Sequence, residues 1–340
     1  MEVQIDKYEY ETNIEAFFRK LKISIFKSYY MIVSHQFHMN LFYILLLMLE
    51  FFQIIGIIIP NMTYFQITQS NEYLTIFKNI ILLGIANSLN ANITILYICT
   101  ILFIIQLILL IIYYSKELKS NHEEPLYIFL LFRFILFINM LYQTVFTIPI
   151  LSNLFSFFQT DSNGIFLIYN TNNFNSVWNY INLAICCINI ILFLIICVLN
   201  NLFLNDNRAL TLLAWACPKY YIRNVKTIFK LILTLFFVFN FYSPYQDIIK
   251  RIFALICITT ICILRLIHPI GYHSKVNVFC TFFEGCIMGN CLICIVNQEL
   301  FATYTITSLI IIFSFITLFG LMFLFIAMKI QSNIISQKVN

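Results

Sequence analysis

Two carboxylates occupy positions where a carboxylate is costly. Glu50 falls in the run Leu49-Glu50-Phe51-Phe52-Gln53-Ile54-Ile55, and Glu284 in Cys280-Thr-Phe-Phe-Glu284-Gly285-Cys286-Ile-Met-Gly289-Asn290-Cys291-Leu-Ile-Cys294, both inside long apolar stretches. An ionisable side chain at the centre of a membrane helix costs about 2.5–3.5 kcal/mol on insertion scales, so it persists where it is paired or put to use. With Gln53, Asn290 and Arg133, the last in a third apolar stretch, these acids form a candidate intramembrane polar site. Such a set can pass a proton or cation, hold a buried ligand, or make a static Glu–Arg pair or a protonated glutamate bonded to a neighbouring helix. The static arrangement is the expectation, since nothing in the sequence fixes the partners; acids facing a hydrated cavity would favour transport instead. Lys230 and Arg265 lie within about a turn of a span end, where snorkelling to the interface accounts for them.

The stretch around Glu284 has two further faces. At 100° per residue, Cys280, Glu284, Cys291 and Cys294 fall on one stripe, and Gly285 and Gly289 form a small-xxx-small pair on another, the pattern of a close helix contact. A thiol-plus-carboxylate stripe without histidine or a second Cys pair is a poor metal site, so no metal or cofactor is expected. Asn179, Asn182 and Asn189 also share one helix face, and interhelical hydrogen bonds are their expected use, ahead of lining a pore. No P-loop, dinucleotide fingerprint, Ser/His/Asp set or paired-carboxylate arrangement occurs, which makes an enzyme the least supported class.

Positioning these groups falls to helices in lipid. Of 340 residues 61% are hydrophobic and 10% charged, with a mean hydropathy of +0.89, against about 45–50% apolar and 25% charged in soluble domains. Stretches of about 20 apolar residues span the hydrocarbon, and eight qualify: 39–60, 91–114, 126–150, 178–204, 226–242, 248–267, 276–296 and 303–328. The reading is an all-α polytopic bundle: a cytoplasmic segment 1–38, a membrane domain 39–328 and a cytoplasmic tail 329–340. The boundary between the fifth and sixth spans depends on the Ser243-Pro244-Tyr245 turn, so a count of seven or nine stays open. Of the 20 Lys and Arg, three (Lys78, Lys250, Arg251) fall in predicted outer loops and three (Arg133, Lys230, Arg265) within spans, leaving fourteen on the inner side. This bias puts both termini in the cytoplasm. Two sequons, Asn61-Met-Thr63 and Asn92-Ile-Thr94, map to the predicted outer side.

Before the first span, Thr12-Asn-Ile-Glu15 reads as a capping box opening a basic amphipathic helix, which would lie on the inner leaflet or pack on the inner loops. A second such element is predicted over 208–222, and 72–89 reads as an interfacial or re-entrant stretch. The acids near the N-terminus argue against a transit peptide or cleaved signal, which points to the plasma membrane or an endomembrane rather than the mitochondrion. Eleven cysteines lie almost wholly in apolar runs and are expected as reduced, buried thiols. The modest net charge of +5 gives no support for a nucleic-acid partner; the expected partners are the lipid bilayer and a protein at the cytoplasmic face.

Several short stretches together resemble the N-terminal membrane region of the large ciliate TmcB/TmcC-like proteins, in which a polytopic module precedes PAS-type sensor domains. They are Ala16-Phe17-Phe18-Arg19-Lys20-Leu21, Leu49–Ile55, Ile148-Pro149-Ile150-Leu151, Leu213-Ala214-Trp215 and Pro269-Ile-Gly-Tyr272. The resemblance implies a sensory membrane module without assigning a ligand residue; without the sensor domains signalling would need a separate partner, or the chain is a truncated member. The expectation is therefore a receptor-like or scaffold membrane module acting through partners. Its alternative is an ion, proton or small-solute transporter or channel built on Glu50, Glu284 and Arg133. That alternative is weakened because only Pro149 interrupts a span.

Overall fold

The computed structural model of the chain describes residues 40–59, 78–83, 89–115, 134, 137–138, 141–159, 177–203, 220–239, 246–267, 274–296 and 306–339. These residues are almost wholly helical and contain no strand. The helices are α1 (Asn40–Ile58), α2 (Leu89–Ser115), α3 (Thr147–Ser156), α4 (Val177–Phe203), α5 (Tyr220–Val238), α6 (Gln246–Ile267), α7 (Ser274–Val296) and α8 (Ile306–Val339). Four of them, over Leu41–Ile58, Val177–Val198, Val276–Val296 and Ile310–Ser332, are long and apolar enough to cross a membrane. A helix suits that setting because it satisfies its own N–H and C=O groups where no water can. Large aliphatic and aromatic side chains cover the outside as well: Ile101 and Ile105 on α2, Ile188 and Ile191 on α4, Ile256 and Ile263 on α6, Leu318 and Phe325 on α8 are all exposed. An apolar exterior on that scale belongs in lipid, and the chain is an integral membrane protein.

The helices pack in two groups. In the first, α7 is central and lies against α1, α6 and α8, its contact with α8 being the most extensive in the bundle. Glycines set that contact: a Cβ on Gly285 would stand 2.8 Å from Phe323 Cβ, and one on Gly289 2.9 Å from Phe319 Cβ, closer than side chains approach. Gly320 answers from α8, where a Cβ would run into Cys286 Sγ. The close packing predicted for the Gly285/Gly289 face is what forms. In the second group α3, buried along its whole length, is enclosed by α2, α4 and α5. α5 also touches α1 and α6 and so joins the two groups.

The third predicted span departs from expectation. Its helical residues 141–143 stop at a turn over 144–146, and α3 starts afresh at Thr147. The backbone widens there, with Phe146 N–H donating to the Leu141 carbonyl five residues back (2.9 Å) before regular bonding resumes from Ile150 to Phe146 (3.0 Å). Pro149, the expected interruption, is the third residue of α3, where a helix N–H has no intrahelical partner anyway. The break therefore lies upstream of the proline.

Other differences are matters of length. α5 begins at Tyr220 rather than 226, and α8 continues as helix to Val339 where a tail was expected from 329. Asn92, in the second predicted sequon, is buried in α2 and accepts a hydrogen bond from Asn153 Nδ2 (2.8 Å), so it is not placed to carry a glycan. In the stretch read as interfacial or re-entrant, a helical turn over 78–82 buries Ile81 and Leu82 and ends on Leu83, whose φ of 54° is left-handed and stops the helix. The amphipathic segment before the first span and residues 208–219 lie outside the described residues.

Candidate functional site

Glu50 and Glu284 each stand ten residues into their helices from Asn40 and Ser274, about 15 Å along the axis at 1.5 Å per residue. Neighbouring residues bring α1 and α7 together, since the Phe51 and Phe283 rings stack with centroids 4.5 Å apart. Both carboxylates consequently line one chamber of about 70 Å³, room for roughly five waters.

Lys230 and Arg265 do not snorkel to the interface as expected; they turn inward and, with Lys226, are the partners of the acids. Lys226 and Lys230 are four residues apart and share a face of α5; each ammonium lies 3.1 Å from Glu50 Oε1. Arg265 of α6 donates through Nε and Nη2 to both oxygens of Glu284, a bidentate pair that fixes direction as well as distance. Lys230 and Arg265 retain only 1% and 3% of their exposure, whereas the Lys226 side chain is 29% exposed and reaches the mouth of the chamber. The side chains turn inward because a buried carboxylate without a counter-charge costs more than ordering a lysine or arginine against it.

The broken helix supplies the chamber's neutral wall. Gln143 and Thr144, at the break, line it. Carbonyls released there are taken up locally: Lys230 Nζ donates to the Gln143 carbonyl and to Thr147 Oγ1 (3.2 Å), and the Thr147 hydroxyl donates to the Tyr142 carbonyl. One lysine thus neutralises Glu50 and ends the helical segment that precedes α3. Tyr43, Arg223 and Asn277 complete the same end of the bundle.

The other predicted site residues part from this group. Gln53 Nε2 donates to the Ile81 carbonyl (3.2 Å) and pins the 78–82 turn against α1. Asn290 Nδ2 donates to the Ile55 carbonyl (3.4 Å) and accepts from Cys294 Sγ (3.6 Å), so it ties α7 to α1 away from the chamber. Arg133 lies outside the described residues. Asn182 and Asn189 behave as expected: Tyr97 Oη donates to Asn182 Oδ1 (3.0 Å), and Asn189 Nδ2 donates to Thr100 Oγ1 (2.9 Å), joining α4 to α2. Of the cysteine stripe only Cys280 borders the chamber.

Lys226, Gln143 and Thr147 were not singled out from the sequence. The four-residue spacing of Lys226 and Lys230 was the available signal, hidden by starting the fifth span at 226. No family model, curated protein or solved structure matches this chain.

Proposed function

We propose that the protein crosses the membrane eight times with both termini in the cytoplasm and carries a small polar solute or ion through the chamber around Glu50 and Glu284. The observation that carries the reading is the meeting of both intramembrane acids and their cations in one cavity at a helix break. Discontinuous helices are where transporters expose backbone and polar groups to a substrate, and irregular backbone at membrane depth is tolerated where it lines such a space. The inner-side excess of Lys and Arg supports the orientation, under which Lys226 and Arg223 face the cytoplasm. The receptor-like or scaffold alternative rests on the resemblance to the ciliate membrane region and on inner-face helices as a contact surface, and makes no use of the chamber.

The test is flux in proteoliposomes. The wild-type chain should move protons, a cation or a small anion down an imposed gradient, and Glu50→Gln and Glu284→Gln should reduce the rate by about tenfold or more, as expected when a group in the path loses its charge. Flux that is absent for all three classes, or undiminished from wild type in both variants, would sink the transport reading.

A further inference from the structure

Among the described residues the wall of the chamber carries four cations, Arg223, Lys226, Lys230 and Arg265, against the two carboxylates Glu50 and Glu284. Lys230 has its three donors taken by Glu50, Thr147 and the Gln143 carbonyl. Arg265 uses Nε and Nη2 on Glu284, and its Nη1 is buried with no acceptor among the described residues. Gln143 Nε2, at the helix break, is buried in the same condition. Both residues line the chamber, and Lys226 stands at its mouth. A buried donor left without an acceptor is destabilising, and these donors belong to one wall with a surplus positive charge. Water would satisfy their hydrogen bonds and leave the charge; a cation would do neither.

We propose that the chamber binds a small monoanionic group, held by the Lys226 ammonium, Arg265 Nη1 and the Gln143 amide. This deepens the preceding reading and rests on it in taking the chamber as a solute site. A free anion and the tip of an anionic lipid headgroup share this chemistry.

The purified full chain in phosphatidylcholine nanodiscs is titrated with nitrate and with acetate at constant ionic strength, gluconate being the bulky replacement anion, and Tm is followed by intrinsic fluorescence. A parallel set of nanodiscs contains phosphatidic acid and no small anion. A saturable rise in Tm with nitrate or acetate identifies a free anion, and a rise confined to phosphatidic acid identifies a headgroup; no rise in either arm overturns the proposal. Lys226→Gln should weaken the response about tenfold or more, the loss of one charge-assisted hydrogen bond. Gln143→Glu places a carboxylate where the anion is held, so it should raise the anion-free Tm and abolish the anion response. If Lys226→Gln does not fold, Gln143→Glu decides alone, and an undiminished response in that variant overturns the proposal. Binding is read without flux, so anion binding with no transport removes only the transport reading. Proton or cation flux with no anion response removes only this inference.

Discussion

The two helix groups hold themselves together by different chemistry. Around α7 the ion pairs are concentrated, Glu284 with Arg265 on α6 and Glu50 of α1 with Lys226 and Lys230 on α5, beside the neutral contact of Asn290 with the Ile55 carbonyl. Around α3 and α4 the polar contacts are neutral pairs, Asn92 with Asn153, Tyr97 with Asn182 and Thr100 with Asn189, apart from the Lys230 ammonium on Thr147 at the start of α3. An amide that loses its partner in a membrane can find another nearby, whereas a carboxylate that loses its counter-ion is left charged in an apolar surround. The ionic group should therefore be brittle and the neutral one tolerant. The ionic contacts also border the chamber, while the amide contacts do not.

The sharpest way to break this contrast is at Arg265. Arg265→Leu should cost about 3–5 kcal/mol in reversible unfolding from mixed micelles, because it strands Glu284. Adding Glu284→Leu should restore most of the loss, since replacing both members of a buried pair by apolar groups is often nearly neutral; a double variant no better than the single one would mean the carboxylate is not what the arginine serves. Next in size is Gly285→Ala. With Phe323 Cβ only 2.8 Å from the new methyl, overpacking should cost about 1–3 kcal/mol in the same assay. The smallest effect is expected in the neutral group: Asn153→Ala should lose about 0.6 kcal/mol and at most about 1.7, the range of hydrogen bonds between membrane helices. A loss at Asn153 as large as that at Arg265 would abolish the distinction.

Much of the ionic group was legible in the sequence, and most of the neutral group's geometry was not. An acid inside an apolar run stands out by type alone, and helix rise puts Glu50 and Glu284 at equal depth. The glycine pair was legible for a similar reason, because spacing by four puts both on one face whatever the neighbour is. Partners were the failure. Whether Lys230 and Arg265 snorkel or turn inward depends on which helix faces them, and that is a tertiary fact. Lys226 was hidden by a boundary error of six residues at the start of α5. The helix break was sought at Pro149, the residue that lacks an N–H, whereas the structure breaks at Thr144–Phe146. There the Gln143 carbonyl and the Thr147 hydroxyl depend on Lys230, from another helix 83–87 positions along the chain from its acceptors. Asn92 looked like a glycan acceptor because a sequon says nothing about burial.

The length of α8 has a mechanical consequence. Its 34 residues form a continuous rod about 51 Å long at 1.5 Å per residue, well over the roughly 30 Å of hydrocarbon. The rod bears on α7 at Gly320, which has no side chain of its own and packs under Cys286 Sγ and the Phe282 ring, and nineteen positions separate that fulcrum from Val339. A tilt of about 5° at the glycine would sweep the far end through roughly 2.5 Å, given an arm of about 29 Å at the same rise. A small adjustment of α7, the helix that carries Glu284, would be geared up along α8 in the same proportion.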